Sequence, residues 1–177
     1  MANADSPKGF RPLEEGPTFP VSVDASNATT IGKGDPLEME ADGGYGRAEA
    51  GDAAVVKYIA WGFKDSDGNS INYLPASTAG TVNAIPITPG RKFVIQSDTG
   101  TTVAATAVNA TADFVAGNAS TTSGVSIYEL DASDIGTGTQ LRILGKLETA
   151  EDNAWGEAHV DLIVEFSETG TTSATSV

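Results

Sequence analysis

Between Ala158 and Phe166 the chain alternates: Val160, Leu162, Val164 and Phe166 fall on one side, and His159, Asp161, Ile163 and Glu165 on the other. Two residues is the side-chain period of an extended chain, so this segment is predicted to be a strand with one buried and one wet face. From Ala53 to Phe63 the same period sets Val55, Ile59, Trp61 and Phe63 on one side with Lys57, and Val56, Tyr58 and Ala60 on the other. Both sides are apolar, which predicts a central strand covered on both faces. Asp65-Ser66-Asp67-Gly68-Asn69 follows, a run of residues that tolerate the left-handed backbone of hairpin loops. A return strand through Ile71 and Tyr73 is its natural partner.

Further strands are expected near Ser126 to Leu130 and Gln140 to Leu144. A second hairpin is expected from Lys92 to Gln96 and Thr102 to Val108, closed around Ser97-Asp98-Thr99-Gly100. Pro75, Pro86 and Pro89 mark loops. No helix of three or more turns is predicted, only short helical turns at Ala110 to Ala116 and Ala132 to Ile135. The fold class that follows is mainly β, a single β-sandwich or β-barrel-like domain.

The first twenty residues differ from the rest. Pro7, Pro12, Pro17 and Pro20 fall there, with Gly9 and Gly16 between them, which rules out a helix. The segment reads as an extended Pro/Gly-rich arm carrying Phe10, Leu13 and Phe19 as apolar handles. Fixing its backbone costs roughly 1–2 kcal/mol per residue, so an arm with three handles is expected to stay loose until something clamps it. The division is then an arm over 1–20, a β domain over 21–166 and a flexible Ser/Thr-rich tail over 167–177. Removing Met1 to Pro20 is expected to leave a folded domain.

Charge narrows the partners. Lys and Arg together number 10 against 24 Asp and Glu, a net charge of -14. Nucleic acid is bound largely by neutralising phosphates with basic side chains, so neither it nor an anionic membrane surface is an expected partner. The chain has no cysteine, which removes disulfides, thiolate metal sites and cysteine nucleophiles. The first residues lack the charged-then-apolar pattern of a secretory signal, and the apolar run ending at Phe63 is too short to span a bilayer. Synthesis in a cytoplasm is the expectation.

Candidate chemistry is sparse, and no cofactor, metal site or catalytic residue is predicted. His159 is the single histidine. Beside Asp161 it suggests an orienting pair, but no Gly-x-Ser-x-Gly elbow is present to supply a nucleophile, and a surface histidine is the ordinary reading. Asp161 and Glu165 share a wet strand face, as solubility alone requires. Asp65 to Asn69 offers closely spaced oxygens but lacks the length and closing Glu of a calcium loop. Gly32-Lys33-Gly34 and Gly43-Gly44-Tyr45-Gly46 complete no phosphate-binding pattern. Trp61 reads as core. Trp155, in a Gly-flanked turn, is the better candidate for stacking against a sugar ring.

The opening Met1-Ala2-Asn3-Ala4-Asp5-Ser6-Pro7-Lys8-Gly9-Phe10-Arg11-Pro12 resembles the start of a family of small structural proteins of tailed-phage heads. Leu141-Arg142-Ile143-Leu144-Gly145 and Asn153-Ala154-Trp155-Gly156 resemble that family near its last strand. The resemblance implies a capsid decoration, or cement, protein on the outer surface of the expanded head, tying major capsid subunits together. It brings no catalytic residues. It implies the major capsid protein as partner, a homo-oligomer with a trimer favoured, and the virion as location. Pro7, Phe10, Arg11, Pro12, Leu13 and Phe19 would be the capsid-binding arm. The alternatives are a carbohydrate-binding or adhesive β module, a phage tail component, or a hydrolase, for which no specific feature speaks.

Overall fold

The computed structural model describes residues 3–50, 55–148 and 153–167. Among these residues the strands run, in chain order, β1 (Arg11–Pro12), β2 (Phe19–Val23), β3 (Pro36–Met39), β4 (Tyr45–Arg47), β5 (Val56–Asp65), β6 (Ser70–Ile71) and β7 (Gly80–Pro86). They continue with β8 (Phe93–Gln96), β9 (Thr111–Ala112), β10 (Phe114–Val115), β11 (Glu129–Leu130), β12 (Leu141–Lys146) and β13 (Asp161–Phe166). The chain is mainly β, with antiparallel sheets packed on one another as in a β-sandwich and no closed barrel. Among the described residues helix is limited to single 3-10 turns at Ala105–Ala107 and Ala132–Asp134. The second lies where a short turn is predicted, whereas Ala110 to Ala116 holds β9 and β10 instead.

The predicted alternation is realised from Asp161 on, where β13 begins, whereas Ala158 to Val160 precede the strand and His159 takes φ 56°. Val160, Leu162 and Val164 are wholly buried and Phe166 nearly so, while Asp161, Ile163 and Glu165 stay half-buried on the other face. The strand sits centrally in a sheet of order β1-β8-β13-β12-β9. A second sheet, of order β2-β7-β5-β3-β4 with β6 alongside β5, packs over it, and β10 and β11 form a separate pair. One core lies between the sheets, around Phe10, Ile59, Phe93, Tyr128 and Leu162. A smaller one lies on the far face of the second sheet, around Val21, Leu37, Phe63, Leu74 and Val82.

β5 is the covered central strand that its apolar faces predict, but its faces are not those of simple alternation. The register against β7 shifts between Ala60 and Gly62, an extra residue that turns the following side chains over. Ile59 and Trp61 therefore contact the larger core, whereas Phe63 belongs to the smaller one with Ala60. The predicted beginning of this strand at Ala53 and Ala54 lies outside the described residues.

The turn after β5 is the expected hairpin. Asp65 accepts hydrogen bonds from the backbone N–H of Asp67 and Asn69, and Gly68 takes φ 86°. The return strand pairs Ile71 with Phe63 and ends before Tyr73. The second predicted hairpin is not formed. β8 pairs with β13 and β1, and its register joins Val94 to both Ile163 and Arg11. The segment that follows bridges Leu130 of β11 at Ser97 and Glu157 at Val103, then enters the Ala105–Ala107 turn, after which the Asn109 N–H donates to Ile143 of β12.

The N-terminal residues are woven into this frame. Phe10 is fully buried, its ring 5.8 Å from Phe114 and 4.9 Å from Phe166 between centroids. Its N–H donates to the Gly34 carbonyl at 2.9 Å. Gly34 has φ 100°, and a Cβ there would lie 2.7 Å from the Lys8 carbonyl oxygen, so only glycine lets the two segments cross. The ordering cost expected of a loose arm is thus offset by apolar burial and strand pairing. Ser167 donates to Gln140, and the rest of the predicted tail, residues 168–177, lies outside the described residues.

Candidate functional site

The six residues expected to face a partner separate into two groups. Phe10 is core and cannot serve as a handle. Pro7, Arg11 and Pro12 are half-buried, and Arg11 is spent on Asp161, its guanidinium 2.7 Å from the carboxylate. Leu13 and Phe19, by contrast, are 39% and 49% exposed. Every residue from Leu13 to Pro20 is exposed.

This exposed stretch is held at both ends. Leu13 donates its N–H to the Lys92 carbonyl just after β1, and Phe19 begins β2, where it pairs with Ala84. Since β1 belongs to one sheet and β2 to the other, the stretch crosses the edge of the sandwich. Gly16 is pressed against Arg91, where a Cβ would lie 2.3 Å from the guanidinium. The result is a ridge beside an open groove of about 430 Å³, bounded by Glu14, Pro17, Thr88 and Lys92. The groove is shallow and of mixed charge.

A second feature joins the N-terminal segment to the loop that precedes β13. Asn3 donates to the Ala158 carbonyl at 2.9 Å and accepts from the Ala154 N–H at 3.1 Å. The Ser6 N–H donates to Gln96, and Gln96 in turn donates to the Ala4 carbonyl. Asn153 bridges the Leu147 and Asp161 carbonyls and accepts from the Asp161 N–H. These side chains satisfy backbone groups that strand pairing leaves open. Asn3 and Asn153 thus clamp the N-terminal segment to the loop that leads into β13.

His159 does not form the pair suggested by its neighbour Asp161. It takes a left-handed backbone, φ 56°, ahead of β13, and its Nδ1 lies 3.8 Å from Asp5. Glu129 completes a trio, with one ligand atom of each residue within 4.8 Å of the others. Burial pushes the Glu129 carboxyl up to about 7, and the negative charges of Asp5 and Asp98 add to the effect. This grouping is not visible in the sequence, because its members come from the N-terminal segment, β11 and the approach to β13.

Asp35 is another group that residue order conceals. It is fully buried between the Gly32 turn and β3, and it accepts the Gly32 N–H at 2.8 Å. Burial raises its carboxyl to about 6 against the opposing pull of that hydrogen bond, Ser126 and Arg47. Its backbone carbonyl accepts from Ala60 of β5, so it serves to anchor a turn.

The aromatic candidates are half-buried. Trp61 packs on the larger core with the Lys33 ammonium 4.0 Å above its ring, an arrangement that occupies the face a sugar would need. Trp155 also packs against that core from its turn. Asp65, whose oxygens would be wanted for calcium, spends them on Asp67 and Asn69. Among the described residues no helix is long and apolar enough to cross a membrane. Compared with known proteins, the chain matches no family model, no curated protein and no solved structure.

Proposed function

We propose that the protein is a capsid decoration protein of a tailed phage, a non-enzymatic β domain that binds the outside of the expanded head and stabilises contacts between major capsid subunits. The observation that carries the reading is the ridge from Leu13 to Pro20. Two large apolar side chains are displayed there on a segment whose ends are pinned in different sheets. Prior ordering of such a segment removes the loop-ordering part of the cost of docking. The ridge also follows directly on the opening residues that resemble the phage-head family.

Roles within the arm then divide. Asn3, Phe10 and Arg11 hold the domain together, and Leu13 and Phe19 meet the capsid. The acidic balance of 24 Asp and Glu against 10 Lys and Arg suits a protein displayed in many copies, since like charge keeps free copies apart. A symmetric homo-oligomer, a trimer at a threefold position, would multiply the small contact made by each ridge.

The test is cosedimentation of the purified chain with expanded and unexpanded capsid shells of its phage. Saturable binding to expanded shells alone supports decoration. Binding to tail preparations and not to shells would replace it with a tail role.

A further inference from the structure

We propose that Asp5, Glu129 and His159 form a binding site for a first-row divalent cation, zinc above all, which fastens the N-terminal segment to β11 and to the start of β13. The three side chains offer an imidazole nitrogen and two carboxylate oxygens, all within 4.8 Å of one another. Closing that spread to zinc bonds of about 2.0–2.2 Å takes only a small swing of side chains. The Asp5 side chain is 58% exposed and free to make it, whereas that of His159 is 14% exposed and held in place.

A second observation sets this trio apart from an ordinary acidic surface. Glu129 Oε1 and His159 Nδ1 are both buried with no hydrogen-bond partner. Buried polar atoms of native proteins are nearly always paired, so two orphans in one cluster call for a missing partner. That partner is an electron-pair acceptor for the carboxylate oxygen and for the imidazole nitrogen in its neutral form, which is what a metal ion supplies.

Charge agrees. Among the described residues no Lys or Arg forms an ion pair with Asp5 or Glu129, and Asp98 adds a further negative charge nearby. The imidazole ligand selects the class of ion. Calcium and magnesium prefer oxygen sets, whereas nitrogen with carboxylate suits zinc and its first-row neighbours. Three protein ligands leave a position for water. The other carboxylate group, Asp24, Glu40 and Asp42, has no nitrogen, and Asp24 is already engaged by Ser26.

The experiment titrates the untagged full chain with zinc chloride, following the His159 imidazole resonances by NMR and the melting temperature by calorimetry. With one histidine in the chain, the assignment is unambiguous. The expected result is a saturable 1:1 shift of those resonances and a melting temperature raised by several degrees, both reversed by EDTA and neither produced by magnesium. Asp5→Asn, at an exposed side chain, abolishes both effects, each read against that variant's own metal-free melt. Asp42→Asn leaves both intact. His159 resonances that ignore zinc, or zinc effects that survive in Asp5→Asn, overturn the assignment.

Discussion

The Phe10 ring lies 4.9 Å from that of Phe166, centroid to centroid, so the start of the chain and its last strand share one aromatic cluster. Phe93 closes the group, 6.4 Å from Phe10 and 5.7 Å from Phe166. Such contacts add to the value of burying the rings themselves. Phe10→Ala is expected to lower stability by about 3–5 kcal/mol, the usual cost of emptying a buried phenylalanine site. Removal of Met1 to Pro20 strips this ring, β1 and the first residues of β2 together, so the truncated chain should lack a cooperative thermal transition. This reverses the expectation that the sequence alone supports. Calorimetry on both variants makes the comparison, and a truncated chain that melts like the full one would show that the segment adds nothing to the core.

Leu162 sits on the inward face of β13, between β8 and β12, and is wholly buried. A carboxylate there has no partner to offset its desolvation. Leu162→Asp should therefore abolish the folded state at neutral pH, read as loss of near-ultraviolet circular dichroism. Ile163→Asp, on the half-buried opposite face, should cost far less.

Asp35 gives the pH dependence a definite sign. Its carboxyl titrates near 6 in the folded chain against about 4 when exposed. A group whose folded value is raised favours folding while protonated. Its contribution is complete below the unfolded value and is lost as pH rises through the folded one. Asp35→Asn keeps the shape and an acceptor for the Gly32 N–H but removes the titration. The difference in stability between the variant and the parent should be flat below pH 4, shift toward the variant between pH 4 and 6, and level off above pH 7. The total swing is on the order of 2–3 kcal/mol. Denaturant melts across that range measure it, and a difference independent of pH would place the Asp35 titration elsewhere.

What the sequence makes legible follows from how local the determining interactions are. β13 is readable because its period of two runs unbroken and each inward residue is apolar. The hairpin at Asp65 is readable because its turn chemistry lies within five residues. β5 is half readable: its burial on both faces is evident, but the bulge near Trp61 depends on what β7 presents opposite it. β8 goes wrong for a stronger reason. Its partners β1 and β13 come from opposite ends of the chain, and no nearby residue announces them. Phe10 is missed likewise, since proline density argues against a helix but carries no information on whether an extended segment is paired. The trio of Asp5, Glu129 and His159 is a product of the same long-range pairing, whereas Leu13 and Phe19 stand out in the sequence as apolar residues in a polar, proline-rich setting.

The most direct test of the proposed decoration role is a comparison of the parent chain with a Leu13→Ser, Phe19→Ser double variant in cosedimentation with expanded capsid shells. Both side chains are exposed, so the variant should melt within a degree or two of the parent. Attachment through the ridge predicts saturable binding by the parent and at least tenfold weaker binding by the variant, equivalent to about 1.4 kcal/mol or more. Equal binding by a folded variant would contradict the ridge as the capsid contact, and no binding by the parent would contradict the decoration role itself.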